Sequence, residues 1–314
     1  MTTVLVTGGA GFIGSQLADR CLAEGHRVVS VDDLSTGRIA NLVEARGHGK
    51  EFSFFNMDVR ADGLSSLFER HRPEVVFHLA AQSGVRPSLT DPVYDASVNI
   101  MGLLNVLEAS VKVGARKVIY AASGGTMYGE PRRLPTKESA AQSSRPLSPY
   151  GVSKKVGIDY LSHYQRYRGL DFTALALGNV YGPRQDPTGE AGVISIFAAR
   201  MIAGEAPTIF GDGNQTRDYV FIDDVVHAFV QAMDRGSGKV VNIGTGLETS
   251  VNHLYRLLSE ITGFAGEPDH GPQPPGELRR MALDISTAPS AIAWKPWTHL
   301  EDGLAETVAY LKGI

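Results

Sequence analysis

Between an apolar run at 4–7 and a helical pattern at 14–24, residues 7–14 read Thr-Gly-Gly-Ala-Gly-Phe-Ile-Gly. No other stretch constrains the fold as strongly. A strand that passes through glycine directly into a helix begins a wound α/β sheet. Glycines at 8, 11 and 14 let the turn tighten and let a pyrophosphate approach the free N–H groups at the helix N-terminus. About twenty residues on, a second strand signal ends at Val31-Asp32-Asp33, where a carboxylate accepts from both ribose hydroxyls of an adenosine and repels a 2′-phosphate. The opening therefore predicts a dinucleotide, NAD rather than NADP. Arg38 is the counter-signal, because a guanidinium fork pairs well with a 2′-phosphate.

Strand signals at 4–7, 27–31, 51–56, 75–78, 117–121 and 172–177 alternate with helical patterns at 14–24, 63–72, 92–114 and 149–167. The last helix opens on Ser148-Pro149, an N-cap followed by proline at N1. This alternation predicts an α/β fold: a doubly wound parallel Rossmann sheet with a smaller interleaved C-terminal substrate domain. From Asn179 onward, Gly182-Pro183, Gly211-Asp212-Gly213, Gly244-Thr245-Gly246 and the 272–276 stretch break the chain into shorter pieces. The expected division is residues 1–178 and 179–314, with a segment near 221–245 returning to the first domain.

With 43% hydrophobic and 20% charged residues, the chain can bury a core, and disorder is excluded. Lys+Arg 30 against Asp+Glu 34 gives −4, and no basic run supplies the footprint that nucleic acid or an anionic membrane requires. The lone thiol, Cys21, has no intrachain partner and fits core packing in a reducing compartment. No basic n-region with an apolar stretch precedes the first strand, and no later apolar run approaches about 18 residues. The expectation is a soluble cytoplasmic protein with no nucleic-acid, membrane or metal partner.

Further strand ends carry cofactor-type residues. Asp58 can accept from an adenine amino group while Val59 covers the ring, and Leu79, Ala80, Ala81 and Ser83 offer small side chains where backbone lies against a flat cofactor. His78 reads as an interior histidine, and Asn99 as a helix residue that bonds either backbone at the strand ends or the cofactor. Tyr150 and Lys154 are four residues apart on a predicted helix and so share a face. An ammonium beside a phenol favours phenolate, which makes Tyr150 a candidate general base, and the same lysine can bind a nicotinamide ribose. Upstream, Ala121-Ala122-Ser123-Gly124-Gly125-Thr126 ends the fifth strand with two hydroxyls, Ser123 and Thr126, that can hold a substrate alcohol.

At this point the chain resembles the extended short-chain dehydrogenase/reductase superfamily, and within it the NAD-dependent nucleotide-sugar 4-epimerases. The resemblance runs along nearly the whole length through TGGAGFIG (7–14), DDLSTG (32–37), HLAAQSGVRPS (78–88), SGGTMYGE (123–130), SPYGVSK (148–154), GNVYGPRQDP (178–187), IFGDGNQTRDYVFIDDV (209–225), NIGTG (242–246) and PGELRR (275–280). It implies cofactor contacts from Gly8, Gly11, Phe12, Ile13 and Gly14, from Asp32, Asp33, Ser35, Thr36 and Gly37, and from Asp58, Val59, Leu79, Ala80, Ala81, Ser83, Asn99, Ala121, Tyr150 and Lys154. On the substrate side it implies Val85, Ser123, Thr126, Tyr150, Asn179, Thr208, Phe210, Arg217, Arg279 and Met281, with Phe210 over a uracil ring and Arg217 on the diphosphate. It also implies a homodimer paired through the helices at 92–114 and 149–167.

Three positions depart from the family pattern. The usual hydroxyl position is Gly124, which passes that role to Ser123, with Thr126 in reserve; an arginine carried by some members is Pro274, which leaves Arg279 as the second cation; and the residue lining the sugar pocket is Met281, an adaptable thioether. The implied activity is reversible C4 epimerisation of a UDP-hexose, glucose to galactose, through a 4-keto sugar. Related dehydratases and decarboxylases need an extra acid after the hydroxyl, and here those places are Gly124, Gly125 and Thr126. The alternatives are a UDP-glucuronate 4-epimerase, with Arg184 or Arg86 meeting the carboxylate, and a catalytically silent NAD-binding regulator.

Overall fold

A computed structural model describes residues 1–188, 192–272 and 278–313. Seven parallel strands form one sheet, in the order Lys239–Ile243, Asp171–Leu177, Lys117–Ser123, Val75–His78, Thr3–Thr7, Arg27–Asp32, Phe52–Asn56. The chain lays down three strands outward from Thr3–Thr7, then crosses back and builds four in the other direction. The reversal lies between Thr3–Thr7 and Val75–His78, whose ends pair Thr7 with His78. In open sheets of this kind, ligands bind beyond the carboxyl ends of the strands at that reversal.

Both faces are covered, as a parallel sheet requires. Side chains alternate along each strand, so Val4, Val6 and Phe77 enter one core and Leu5, Val76 and Tyr120 the other. On the first face lie helices Phe12–Ala23 and Ile222–Ala232, with Phe77 and Phe229 packed edge to face. Cys21 is fully buried there, its thiol pushed up to about 12 by burial. On the second face lie Leu64–His71, Gly102–Val113 and Pro149–Arg168. The Ser148 hydroxyl caps this last helix by accepting from the Gly151 N–H, and Gly169 ends it in the left-handed region at φ 69°.

The 221–245 stretch supplies the helix Ile222–Ala232 and the edge strand Lys239–Ile243, which pairs with Asp171–Leu177. The remaining C-terminal strands are short pairs: Asn179–Tyr181 with Tyr219–Phe221, Thr216–Arg217 with Thr249–Ser250, and Thr208–Phe210 with Asp269–Gly271. Pro274 and the 275–277 part of PGELRR lie outside the described residues.

Two sequence expectations need correction. The 92–114 helix is segmented: Pro92–Ala96 leads through a π-turn at Ser97–Met101 into Gly102–Val113. The same stretch, Pro92–Val113, is 22 residues long and holds an 18-residue window of mean hydropathy 1.2, long and apolar enough to cross a membrane by length and composition. Burial explains that composition differently, because Leu103, Val106 and Leu107 pack against the sheet and Asp95 and Asn99 are buried polar groups inside it.

Candidate active site

The glycine turn closes directly over the sheet reversal. Gly8 has φ +71° and a Cβ there would stand 2.8 Å from the Ala80 nitrogen; a Cβ at Gly14 would stand 2.1 Å from the Gly8 carbonyl oxygen. Only glycine permits either approach. The turn, the Leu79-Ala80-Ala81 segment and the start of Phe12–Ala23, where Phe12 and Ile13 begin the helix, thus form one cradle, and Gly11 accompanies its bend. Beneath it the Thr7 hydroxyl accepts from the Leu79 and Ala80 N–H groups, which leaves its own proton for His78 Nδ1 at 2.8 Å. Burial pushes His78 down to about 3, so it is neutral and interior, as its sequence position suggests.

At the end of the second strand, the buried Asp32 carboxylate accepts from Ala10 N–H at 3.0 Å and Leu34 N–H at 2.8 Å. Burial raises it above the ordinary carboxylate value, and those N–H groups offset part of the rise. A Cβ at Gly37 would come within 2.6 Å of the same carboxylate, which explains the glycine. Asp33, Ser35 and Thr36 are exposed, with Ser35 bonded to Asp33 through both N–H and hydroxyl. Arg38 is ion-paired with Asp186. Asp58 holds Arg60 bidentately at 3.0 and 2.5 Å and sits below its ordinary pKa through that contact, while Val59 is buried against Gly102. Asn99 accepts from the Gln82 N–H at 3.0 Å and donates to the Gln82 carbonyl at 2.9 Å and to Asp95 at 3.0 Å. Of the two readings open for Asn99, these bonds favour backbone support, since its donors and acceptor are all engaged. Ser83 and Val85 are exposed on the following turn.

The fifth strand and the helix Pro149–Arg168 bring the reactive groups together. Lys154 Nζ donates to the Ala121 carbonyl at 2.9 Å and stands 4.9 Å from the Tyr120 ring centroid and 5.8 Å from that of Tyr150. Gly151 is what lets this helix close in, because a Cβ there would lie 2.8 Å from the Thr126 carbonyl oxygen. Burial pushes Lys154 down to about 8, against the pull of Asp95. Burial likewise pushes Tyr150 up to about 12, resisted by a hydrogen bond from Ser123 and reinforced by Asp95. The helical spacing predicts that Lys154 brings the phenol down, but desolvation outweighs that effect here: a dry site penalises the phenolate as well as strengthening the ammonium's field. Thr126 Oγ1 is buried without a partner among the described residues.

Of the substrate-side candidates in the C-terminal half, Met281 and Asn179 come to the glycine pair. Met281 is buried, and its Cε would lie 3.4 Å from a Cβ at Gly125, with Asn179 Oδ1 at 3.7 Å. Gly124 is tighter, since a Cβ there would stand 2.8 Å from Leu283 Cδ1 and 3.1 Å from the Ala176 carbonyl oxygen. Thr208 and Phe210 occupy one short strand, with Phe210 exposed and the Arg86 guanidinium 6.0 Å from its ring centroid. Arg217 donates to the Thr216 carbonyl at 2.8 Å. Arg279 makes a two-pronged pair with Asp212 at 2.7 Å on both prongs and would have to leave it to meet a phosphate. Arg184 is consumed elsewhere: it binds Asp19 at 2.6 Å, the Asn41 carbonyl at 3.1 Å and Glu44 at 3.2 Å, and is no candidate for a sugar carboxylate.

Two buried carboxylates escape a reading of the sequence. Asp218, beside Arg217, accepts from the N–H groups of Thr245, Gly246 and Leu283 and so ties the 245–246 turn and the Leu283 segment to its own. Asp95, fully buried, accepts from Ser153, Gln82 and Asn99. Neither sits in a spacing that sequence alone marks as special. Among the described residues, no group of three or more His, Cys, Asp or Glu could hold a metal ion.

This geometry has close relatives. Residues 4–244 match the family described as "Epimerase: NAD dependent epimerase/dehydratase family". The chain is 47% identical over 309 residues to a UDP-glucose 4-epimerase of Mycolicibacterium smegmatis, covering 98% of each chain. Among solved structures, it is similar to a UDP-glucose 4-epimerase of Thermotoga maritima determined with UDP-glucose, with TM-score 0.95, 45% identity and 99% coverage of both chains. It also matches a Thermus thermophilus UDP-glucose 4-epimerase in complex with NAD, with TM-score 0.91, 38% identity and 99% coverage of both chains.

Proposed function

The chain belongs to the NAD dependent epimerase/dehydratase family, and from that premise we propose that it inverts C4 of a UDP-hexose, interconverting UDP-glucose and UDP-galactose. One observation carries the choice of reaction: Ser123, Tyr150 and Lys154 converge at the end of the fifth strand, and Gly124 beside them has no room for a second acid. Elimination of water requires such a pair, whereas reversible epimerisation does not.

The cradle suits NAD: glycines 8, 11 and 14 with Phe12 and Ile13 for the pyrophosphate, Asp32 to Gly37 for the adenosine ribose, Asp58 and Val59 for adenine, and Leu79, Ala80, Ala81, Ser83, Ala121 and Lys154 along the nicotinamide side. Held there, NAD would supply the hydride acceptor and donor that inversion at C4 of the sugar requires. Tyr150 takes the proton of the C4 hydroxyl and gives it back, acting as base and then acid. Ser123 holds that hydroxyl in line. Lys154 supplies the positive charge that makes the phenolate accessible. Arg217, Asn179, Thr208 and Phe210 grip the nucleotide while the glycine pair and Met281 leave the keto sugar free to turn.

In the same reading the protein is a cytoplasmic homodimer. Val93, Met101, Val152 and Tyr167 are exposed apolar residues on the segments 92–113 and 149–168, a face suited to packing against a second copy. The test is conversion of UDP-galactose to UDP-glucose by the NAD-loaded protein, beside UDP-glucuronate and N-acetylated sugars. Turnover of the hexose supports the proposal. Bound UDP-sugar with no product or spectral change identifies a silent regulator instead, and preference for UDP-glucuronate moves the substrate.

A further inference from the structure

Asp95 is wholly buried, yet among the described residues it meets no cation directly. Its Oδ1 accepts from Gln82 Nε2 and Asn99 Nδ2, both at 3.0 Å, and its Oδ2 lies 2.6 Å from the Ser153 hydroxyl. Both amides are fixed as donors, since Asn99 Oδ1 accepts from the Gln82 N–H at 3.0 Å and Gln82 Oε1 from the Gly84 N–H at 2.6 Å. Asp95 is therefore built to accept, and the short contact from Ser153 fits a charge-assisted bond. Taking a carboxylate out of water is costly, and a site assembled to hold one calls for a purpose.

The neighbours suggest that purpose. Ser153 precedes Lys154 in the chain, and Gln82 and Asn99 belong to the segments that flank the sheet reversal. The groups around Lys154 come from four elements: Tyr150 on its own helix, Tyr120 and the Ala121 carbonyl on the fifth strand, His78 on the fourth, and Asp95 on Pro92–Ala96. His78 is neutral and the two phenols are protonated at neutral pH. Among them Asp95 is the group that can carry negative charge.

We propose that Asp95 is a positioning residue for the epimerisation: its buried carboxylate keeps the Lys154 ammonium charged in a dry site and, through Ser153, Gln82 and Asn99, locks the catalytic helix to the loop along the nicotinamide side. The inference rests on the function proposed above, since only a reaction that uses Lys154 gives that charge a role.

The decisive variant is Asp95→Asn, which keeps shape and removes charge. Lysine titration in the NAD-loaded protein, followed by NMR of 13Cε-labelled lysines with Lys154→Ala for assignment, is expected to show the Lys154 midpoint falling from near 8 by about one pH unit. The alkaline limb of kcat for UDP-galactose is expected to fall with it, while KM changes little. A uniformly lower kcat with both titrations unmoved would make Asp95 merely structural and overturn the proposal. If Asp95→Asn does not fold, Ser153→Ala carries the test: a carboxylate that has lost one donor exerts a stronger field, so the midpoint moves to higher pH, and an unmoved midpoint overturns the proposal. Because the lysine titration needs no turnover, a protein that fails to convert UDP-galactose defeats the functional reading while leaving Asp95 testable.

Discussion

Gly124 packs against Leu283 so closely that a single added carbon would stand 2.8 Å from Leu283 Cδ1 and 3.1 Å from the Ala176 carbonyl oxygen. The glycine is therefore a steric requirement, and it removes the place where a dehydratase would carry an acid. Gly124→Ala is expected to lower stability by about 1–3 kcal/mol through overpacking, read from urea unfolding. Gly124→Asp is expected to fold poorly and to yield no 4-keto-6-deoxy sugar. A folded Gly124→Asp protein that dehydrates UDP-glucose would remove the steric argument.

Tyr150→Phe deletes the proton-transferring oxygen and leaves the ring that packs near Lys154. Turnover is expected to fall by about 10²–10⁴-fold, the usual consequence of losing a general base, with UDP-sugar and NAD binding retained. Steady-state kinetics with calorimetry separates the two effects, and near-normal kcat would refute the assignment.

The pH dependence of kcat/KM reports the free enzyme. Lys154, pushed down to about 8, bears its proton below that pH and loses it above, and with the proton goes the field that stabilises the phenolate. Activity is therefore expected to decline on the alkaline side from about pH 8, and Lys154→Ala to abolish that limb along with most of the activity. A plateau reaching pH 10 in the wild type would contradict it.

Ser123 lies against the Tyr150 phenol and pulls its pKa down, whereas Thr126 Oγ1 is buried without a partner among the described residues. Ser123→Ala is accordingly expected to reduce kcat at least tenfold, roughly the worth of one hydrogen bond to a charged group, and more than Thr126→Ala does. The reverse ranking would transfer the hydroxyl-holding role to Thr126.

Much of the fold is legible in the sequence because its signals are local. Runs such as Val75–His78 and Lys117–Ser123 declare strands by β-branched and apolar content, and Gly8 and Gly14 mark places where backbone touches backbone. Ser148, Pro149, Tyr150 and Lys154 can be read together for the same reason, since a cap and a four-residue spacing are properties of one helix. What the sequence does not display is partnership across the chain. Arg184 and Arg279 look like free cations until the fold sets Asp19 against one and Asp212 against the other. Asp95 looks like an ordinary acid in a first helical turn until Ser153, 58 residues on, closes over it. The edge strand Lys239–Ile243 is visible only as a returning segment, because its place depends on pairing with Asp171–Leu177.

Two sedimenting copies are expected at micromolar concentration, because Val93 and Met101 on one segment and Val152 and Tyr167 on another leave apolar surface that water does not favour. Val93→Glu with Met101→Glu should shift the protein toward monomer. A monomeric wild type would sink this reading.

Cofactor choice depends on two acids from opposite halves of the chain. On the proposed reading Asp32 faces the adenosine ribose, where its carboxylate favours two hydroxyls and opposes a 2′-phosphate. Arg38 could reverse that preference by pairing with the phosphate, but Asp186 already holds it. The two effects differ in size. Asp32 is buried, so the hydrogen bonds it offers are charge-assisted in a poorly solvated place and worth about 1.5–3 kcal/mol. The Arg38 pair is largely exposed, and such pairs contribute about 0–1 kcal/mol. Asp32→Asn is therefore expected to weaken NAD by roughly ten- to a hundredfold and to narrow its advantage over NADP, whereas Asp186→Ala should leave NAD nearly unchanged and improve NADP by less than about fivefold. Asp32→Asn is preferred to Asp32→Ala because Asp32 accepts from the Ala10 N–H on one oxygen and the Leu34 N–H on the other, and the amide keeps one of those two acceptors where alanine keeps neither. Calorimetric titration of both cofactors into each variant, with unfolding measured alongside, checks the ranking. If Asp32→Asn binds NAD as the wild type does, the strand-end carboxylate does not face the ribose and the adenosine side of the cradle must be reassigned.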